Sequence, residues 1–297
     1  EEPTTKIKSE EDLQEFHKTP VFEEYISFLQ SLNESMLNKV LSAECTESEI
    51  IKKILEIIDR LSTWVDEIPP LQQPMRYGNK AYRDWFNRLR DNADSLMKEL
   101  VPEDKADATV ELSVYFREAW GNETRIDYGT GHETCFMAWL FCLKKLGLLT
   151  EQDHQATVSR VFDRYLKVMR KIQTIYGLEP AGSHGCWSLD DYQFLPFYFG
   201  SAQLIDHKYI KPRSIHNMEV LESFAKEYMY LDAILFIHTV KTGPFGEHSP
   251  ILTEVSNVAN WGKINAGMMK MYRVEVMSKF PIMQHFLFGS LIPFTSE

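Results

Sequence analysis

Apolar residues recur along most of this chain at the spacing of amphipathic α-helices. The clearest stripe runs from Val158 to Tyr176 in steps of three and one, with charged side chains on the other faces. Thr150 is predicted as the N-cap of this helix, and Gly177 as the residue that ends it. The pattern therefore predicts one long helix with a single buried face.

The same spacing predicts helices in most other parts of the chain. Two further stripes run from residue 22 to 40 and from 51 to 65. Thr46 and Glu49 have the spacing of a capping box before the second of these, and Pro69 and Pro70 lie just beyond it. Additional helices are predicted over residues 82–100, 110–120, 132–146, 221–240 and 259–277.

These patterns predict an all-α fold. Sustained alternation of polar and apolar residues beside hairpin turns is not found, so strands are expected to be few. Ten or more helices can divide into groups, and ligand clefts form between such groups. Residues 1–12 are predicted to be a flexible N-terminus, followed by a single all-helical domain over residues 13–297.

Charge and composition narrow the classes of partner. The 297 residues carry a formal net charge of −11, which disfavours phosphate backbones and anionic lipid. We therefore expect no nucleic-acid or membrane partner. Signal peptides begin with a basic and apolar segment, whereas this chain begins with acidic residues, so cytoplasmic residence is predicted, with the nucleus as an additional location.

The cysteines indicate a reducing compartment. Cys45, Cys135, Cys142 and Cys186 form no CxxC pair, and Cys135 and Cys142 fall in an apolar segment typical of buried free thiols. The sequence contains no GxSxG elbow, no HExxH motif and no zinc-ligand spacing. Nothing in it marks a covalent nucleophile.

Residues 121–133 (GNETRIDYGTGHE) carry the first candidate site. Gly129 and Gly131 allow positive φ or close approach to a ligand, and a helix predicted to begin near His132 presents unpaired N–H groups to an anion. Arg125 adds a guanidinium suited to phosphate. Spacing alone favours the alternative, a glycine turn with the capping residue Thr130, because the segment matches neither nucleotide-binding glycine motif.

Residues 179–191 (EPAGSHGCWSLDD) carry the second candidate. Mg²⁺ prefers carboxylate, carbonyl and phosphate oxygens, so Asp191 with nearby backbone carbonyls is a candidate magnesium site against a nucleotide. The alternative is that Asp190 and Asp191 cap the following helix.

Two more segments contain isolated polar pairs. Residues 242–250 form a predicted loop in which Glu247 and His248 are a candidate acid–base pair, with a solvated turn as the alternative. In residues 280–290, Gln284 and His285 are polar positions within an apolar run. A buried polar group needs a partner, which is either a ligand or, more commonly, a backbone carbonyl.

Taken in order, these segments resemble the phosphotyrosyl phosphatase activator family, whose members activate type 2A serine/threonine protein phosphatases. The resemblance covers the chain from about residue 15 to its end. Its matching segments are residues 76–85 (RYGNKAYRDW), 125–133, 179–197, 241–250 and 280–293. Several uncommon motifs in the same order are far more specific than any one of them.

The resemblance implies an all-helical fold with core, linker and lid subdomains. It also implies Mg-ATP in a deep pocket, the catalytic subunit of a type 2A phosphatase as partner, and a groove for a proline-containing peptide. Peptidyl-prolyl cis/trans isomerase activity is implied too, with ATP hydrolysis only together with the phosphatase. A monomer is expected, with a peptide-bridged dimer as the alternative.

Site residues are carried over by motif. The implied nucleotide contacts are Arg125, Thr130, Gly131, Gln284 and His285, and the implied metal position is near Gly185 and Asp191. The candidate peptide or partner surface comprises Trp187, Asp190, Tyr192, Phe194, Glu247 and His248. The resemblance identifies no catalytic residue.

The chain departs from the family pattern at a few positions. Cys186 and Ser188 stand where valine and glycine are expected, and Gly246 stands where alanine is common. Trp187, Asp190 and Asp191 are retained. The alternative function is a non-enzymatic scaffold that binds a proline-containing peptide or the phosphatase without nucleotide.

Overall fold

Helices make up nearly all the regular structure of the computed structural model, which describes residues 1–74, 78–182 and 185–294. This confirms the predicted all-α class. The α-helices in these ranges are α1 (Glu10–His17), α2 (Pro20–Ser35), α3 (Glu49–Glu67), α4 (Ala81–Leu100), α5 (Thr109–Glu118), α6 (Thr130–Lys145), α7 (His154–Ala156), α8 (Asp163–Tyr176), α9 (Leu195–Gln203), α10 (Met218–Phe224), α11 (Met229–Val240), α12 (Phe245–His248), α13 (Pro250–Val255), α14 (Trp261–Glu275) and α15 (Phe280–Met283).

The strongest apolar stripes bury as predicted. In α3, Ile51, Ile54, Ile58 and Leu61 are fully inaccessible to solvent, and the helix ends before the two prolines. The predicted capping box before α3 is wrong, because the N-cap is Ser48 rather than Thr46. The Ser48 hydroxyl donates instead to Asp153 Oδ1 at 2.6 Å, so a contact between distant segments replaces the local cap.

The helix predicted around residues 158–176 is continuous but not uniform. It begins with a 3-10 turn capped by Thr150 and Asp153, passes through α7 and a π-helical segment (Thr157–Phe162), and continues as α8. Gly177 ends it with φ of 61°, the left-handed conformation expected of a C-terminal glycine.

The single helix predicted over residues 221–240 is wrong, because the chain breaks between α10 and α11. The buried side chain of Gln203 occupies the break. Its amide group donates to the Glu227 carbonyl, and its Oε1 accepts from the Met229 N–H at 2.8 Å. These bonds satisfy backbone groups that a continuous helix would have paired internally.

Three packed helix groups form the core. Helix α9 lies against α11 and α14, α5 lies between α4 and α6, and α3 packs on α8. The approach of α9 to α11 is close: a Cβ on Gly200 would lie 2.4 Å from the Tyr230 nitrogen. Glycine is therefore required there. The division into core, linker and lid stays a prediction.

Four two-residue strands tie distant parts of the described chain together. β1 (Thr4–Thr5) pairs antiparallel with β4 (Leu287–Phe288), and β2 (Asp127–Tyr128) pairs parallel with β3 (Glu179–Pro180). Residues 1–12 were expected to be flexible, yet they contribute β1 and the fully buried side chain of Ile7. The backbone pairing and this apolar contact give the segment a defined place beside β4.

No helix in the described ranges is both long and apolar enough to cross a membrane. Among the cysteine side chains that the structure describes, three are free thiols, of which Cys135 and Cys142 are buried and Cys45 is partly exposed. Burial raises the pKa of Cys135 and Cys142 well above the usual range of a thiol. Both side chains therefore behave as small apolar groups in the core.

Candidate functional site

The segment before α6 forms a tight, strained turn that holds two charged side chains. Asn122 and Asp127 pair across its base, with N–H to carbonyl distances of 2.9 and 3.3 Å. Between them Ile126 adopts φ of 53°, which is rare for a β-branched residue. Arg125 Nε donates to Asp127 Oδ2 at 2.8 Å, so the turn fixes the guanidinium beside a carboxylate.

Pairing between β2 and β3 joins the first candidate motif to the second. Glu179 N–H donates to the Ile126 carbonyl and Ala181 N–H to the Tyr128 carbonyl, at 3.0 and 2.9 Å. A Cβ on Gly129 would lie 2.1 Å from the Ala181 oxygen. Neither Gly129 nor Gly131 has positive φ. Close approach, rather than backbone freedom, is therefore what requires glycine at position 129.

Helix α6 begins at Thr130, two residues before the predicted start. The Gly129 N–H donates to Nδ1 of His132 at 3.1 Å, which leaves the ring proton on Nε2. Burial lowers the pKa of His132 to about 3, with smaller contributions from Arg125 and His285. At neutral pH this imidazole is therefore an uncharged hydrogen-bond donor.

A first cavity of about 460 Å³ lies at this junction. Its wall includes three of the five residues proposed to bind nucleotide: Arg125, Gly131 and His285. Thr130 lines the neighbouring second cavity instead. Residues from the first, second and fourth motifs therefore meet at one cavity, whereas Gln284 and the third motif do not line it.

Two carboxylates also line the first cavity. Burial raises the pKa of both Glu118 and Asp127, and the Arg125 guanidinium opposes this effect at Asp127. Asp127 is 7% exposed, and its Oδ1 makes no hydrogen bond within the described chain. Asp127 therefore keeps one buried carboxylate oxygen without a partner while the other accepts from Arg125.

The fourth motif contributes differently from what was expected. His285 is exposed at the first cavity rather than buried, and its pKa is lowered by partial burial and by Arg125. Gln284 is half-buried, and its amide donates to the Pro281 carbonyl at 3.3 Å. The simpler alternative, a backbone partner, therefore holds for Gln284, and the expected burial of His285 is wrong.

A second cavity of about 290 Å³ adjoins the first and shares Ala181, Gly182 and Ile282 with it. Of the predicted site residues, Thr130, Trp187, Asp190, Asp191 and Phe194 line this cavity. The first turn of α6 contributes to both cavities, with Thr130 in the second and Gly131 and His132 in the first. A ligand in one lies close to a ligand in the other.

The two adjacent aspartates have separate structural roles. Asp190 Oδ2 accepts the N–H groups of Tyr192 and Gln193 at 3.0 and 2.9 Å. These amides lie in the turn before α9, whose N-cap is Phe194, so the alternative that Asp190 caps this helix is wrong. Burial raises the pKa of Asp190. Asp191 Oδ2 lies 2.9 Å from Lys241 Nζ, so an ion pair links the second motif to the third.

The aromatic residues of the second motif divide between surface and core. Trp187 is 76% exposed, whereas Phe194 and Phe197 are buried. Tyr192 is half-buried, and its hydroxyl donates to the Leu178 carbonyl at 2.8 Å. Core packing therefore accounts for Phe197, while Trp187 and the edge of Phe194 remain available at the second cavity.

The third motif does not supply the expected acid–base pair. Residues 245–248 form the short helix α12 rather than a loop. Glu247 is exposed, and His248 Nδ1 lies 2.8 Å from the Ser249 hydroxyl. Partial burial and then Lys241 lower the pKa of His248. Within the described contacts no hydrogen bond joins Glu247 to His248, and neither lines the two cavities.

Some predicted positions lie outside the described residues. These are Arg76 at the start of the matching segment 76–85, His184, and the side chain of Cys186. The first cavity is also lined by described residues that were not predicted as site residues: Glu118, Asn122, Asp127, His132 and Cys135. For Asp127 and His132 a signal existed, since both belong to the motif around Arg125, whereas Glu118 carries no such signal.

Comparisons with known proteins agree with this architecture. The family model described as "Phosphotyrosyl phosphate activator (PTPA) protein" matches residues 3–294. A probable serine/threonine-protein phosphatase 2A activator 1 of Dictyostelium discoideum is 46% identical over 99% of this chain and 90% of its own length. The serine/threonine-protein phosphatase 2A activator of Drosophila melanogaster is 42% identical over 97% of this chain and 73% of its own length.

A solved structure shares the fold as well as the sequence pattern. The crystal structure of the PP2A phosphatase activator Ypa1 superposes with a TM-score of 0.91 at 33% identity, covering 99% of this chain and 96% of that one. Sequence and structure therefore agree over essentially the whole length, and the chain belongs to the phosphotyrosyl phosphate activator (PTPA) family.

Proposed function

We propose that this protein activates type 2A serine/threonine protein phosphatases, with Mg-ATP bound in the first cavity and the phosphatase catalytic subunit bound across the second. The convergence of Arg125, Gly131 and His285 on one cavity carries the proposal. Its support includes relatives that are named phosphatase 2A activators. Activation requires the protein to bind one conformation of the phosphatase better than another.

The first cavity suits a nucleotide in size and in polar groups. Its volume of about 460 Å³ falls in the range of small-molecule sites. Arg125 supplies a cation, His132 a neutral N–H donor, and Asp127 Oδ1 a buried acceptor for a ligand amino or hydroxyl group. An unpartnered carboxylate oxygen in a wall is costly unless a ligand or water hydrogen-bonds to it.

Magnesium would lie at the adjoining second cavity, beside the nucleotide phosphates, and it fits there only together with phosphate oxygens. Mg²⁺ needs near-octahedral oxygen ligands and commonly takes one or two carboxylates plus substrate phosphates. In the part of the chain that the structure describes, no cluster of three or more His, Cys, Asp or Glu side chains is placed to hold a metal alone. Asp191 and the Gly185 carbonyl would be the protein ligands, with Lys241 displaced from Asp191.

A prolyl isomerase activity at the second cavity is part of the same proposal. Isomerisation needs no nucleophile, but it needs a twisted imide held against apolar walls. The exposed indole of Trp187, with Phe194, Leu189 and Val276, offers such walls to a proline-containing peptide. A monomer, with a peptide-bridged dimer as the alternative, stays the prediction for the oligomeric state, and residence in the cytoplasm and also the nucleus stays the prediction for location.

The test measures nucleotide binding and phosphatase activation together. We expect Arg125→Ala to weaken Mg-ATP binding in calorimetric titration by about tenfold or more, because a charged hydrogen-bond donor to the ligand is lost. Activation of the purified phosphatase catalytic subunit should fall in parallel. Arg213→Ala, at an exposed arginine away from both cavities, is the matched control.

The outcome separates the proposal from a nucleotide-free scaffold. If Arg125→Ala activates the phosphatase as well as the unmodified protein and binds Mg-ATP with the same affinity, the first cavity has no role in activation. That result would favour the scaffold alternative.

A further inference from the structure

Glu133 is fully buried between the two cavities and makes an unusual pair of contacts. Its Oε1 accepts the N–H groups of Phe194 and Leu195, each at 3.0 Å. Phe194 is the N-cap residue of α9 and has no side-chain oxygen with which to cap that helix. Glu133 therefore caps α9 from another helix.

The position of Glu133 in α6 links this cap to the first cavity. Its chain neighbours His132 and Thr134 both line that cavity. Successive side chains on a helix point about 100° apart. The same turn of α6 therefore places His132 and Thr134 at the first cavity and Glu133 against α9. A ligand that tightens the first turn of α6 therefore acts on the position of the Glu133 carboxylate.

The other end of the contact belongs to the second cavity. Asp190 Oδ2 accepts the N–H groups of Tyr192 and Gln193, so four consecutive amides, from Tyr192 to Leu195, are bound by two carboxylates. Phe194 and Asp190 line the second cavity. Movement of the Glu133 side chain therefore shifts residues that form the wall of that cavity.

Nothing else in the described structure substitutes for this contact. The second carboxylate oxygen of Glu133 makes no hydrogen bond there, so the α9 amides are its sole polar partners. A buried amide that loses its acceptor pays its desolvation cost without compensation. The contact is thus strong enough to transmit a bias between two arrangements of the segment.

We propose that Glu133 is a positioning residue that couples the two cavities, so that a nucleotide in the first orders residues 192–195 in the wall of the second. The inference rests on the proposed nucleotide role of the first cavity. Coupling of this kind is reciprocal: a partner that favours the ordered wall also tightens nucleotide binding.

Hydrogen exchange at the amides of residues 192–195, with and without saturating Mg-ATP, tests the coupling. In the unmodified protein we expect Mg-ATP to slow their exchange by about tenfold, which corresponds to about 1.4 kcal/mol. Glu133→Gln keeps the length and an acceptor oxygen, so it should retain most of the effect. Glu133→Asp keeps the carboxyl group but is one methylene too short, so it should lose the effect while Mg-ATP affinity stays within about threefold.

The matched control is Glu111→Asp. Glu111 is another buried glutamate, and it accepts the backbone N–H groups of Ser290 and Leu291 away from the second cavity. In Glu111→Asp, Mg-ATP should still slow hydrogen exchange at residues 192–195, because the shortened side chain binds backbone amides in another part of the fold.

Three results would overturn the coupling. These are Mg-ATP binding by the unmodified protein without slower exchange at these amides, retention of the effect in Glu133→Asp, and equal loss in Glu133→Gln and Glu133→Asp. Absence of any Mg-ATP binding by the unmodified protein would overturn the proposed function as well. The two failures are therefore distinguishable.

Discussion

Ile126 is held in a backbone conformation that costs about 1–3 kcal/mol for such a residue. Its carbonyl accepts the Glu179 N–H, and its side chain is 96% buried against neighbours that include Gly78. These contacts offset the strain. The strained conformation places both neighbours of Ile126, Arg125 and Asp127, in the wall of the first cavity.

Glu133 occupies an environment that favours its neutral form. Burial raises its pKa to about 8, while the amides of Leu195 and Phe194 oppose the rise. Asp190 raises this pKa further and Arg170 lowers it. The other titratable groups that face the carboxyl are phenols: Tyr25, Tyr128, Tyr165 and Tyr272.

This pKa makes stability depend on pH in a defined direction. The unfolded chain releases the Glu133 proton near pH 4.5, whereas the folded chain retains it to about pH 8, so rising pH favours unfolding over that interval. Relative to Glu133→Gln, which cannot ionise, the unmodified protein should lose free energy of unfolding on the order of a few kcal/mol between pH 5 and 8. Urea denaturation at pH 5, 6.5 and 8 measures this difference.

Glu99→Gln provides the contrast for that measurement. Arg60 lowers the pKa of Glu99, so the stability this group contributes is present above its unfolded pKa and is lost only in more acidic solution. The difference in free energy of unfolding between Glu99→Gln and the unmodified protein should stay constant between pH 5 and 8. A constant difference for Glu133→Gln as well would show that Glu133 ionises normally in the fold.

At the scale of elements, local pattern predicts where most helices lie but not where tertiary contacts interrupt them. The stripe of α3 and the left-handed Gly177 follow from spacing and from backbone sterics. The break between α10 and α11 depends on Gln203, which lies outside both helices. No local window of sequence contains that information.

The pairing of β1 with β4 gives the N-terminal segment a role at the first cavity. Thr5 and Leu287 are register partners and both line the cavity. Helix α1 reinforces the contact, because the Phe16 ring packs edge-on against Phe288. The terminal segment therefore restrains the chain immediately after His285.

Disrupting this pairing should loosen the nucleotide site. Proline cannot donate a backbone hydrogen bond and restricts the residue before it, so Thr5→Pro should break the β1–β4 pair. We expect Mg-ATP affinity to fall by about tenfold in calorimetric titration. Glu2→Pro, placed before the strand, is the control. Equal affinities in the two variants would assign β1 a purely structural role.

At the scale of the whole molecule, the sequence identifies the motifs but not the arrangement that joins them. The parallel pair β2–β3 places residues 127–128 beside 179–180 across three intervening helices. Two-residue strands leave no periodic signal, so this contact has no local signature. The division into two adjoining cavities, with Thr130 in one and Gly131 in the other, was for the same reason not predictable.

Trp187 and Tyr209 allow a test of which surface meets the partner. Their exposed fractions are nearly equal, 76% and 77%, but only Trp187 lines the second cavity. We expect Trp187→Ala to reduce phosphatase activation and prolyl-peptide isomerisation by about tenfold or more, as buried tryptophans at interfaces commonly do. Tyr209→Ala should leave both activities intact.

Thermal denaturation of these two variants completes the comparison. Both substitutions are on the surface, so each should change stability by no more than about 0.5 kcal/mol. If Tyr209→Ala impairs activation and Trp187→Ala does not, the partner binds at the loop around Tyr209 rather than at the second cavity.

The pairing of β1 with β4 also sets an order of events during protein synthesis. The ribosome makes β1 at the beginning and β4 near the end of the described chain, and a nascent chain emerges N-terminus first. Until β4 has been synthesised, Thr4 and Thr5 therefore have no partner strand, and the first cavity lacks one wall. Nucleotide is thus expected to bind only after β4 has emerged and paired with β1, so that shorter nascent chains do not compete for it.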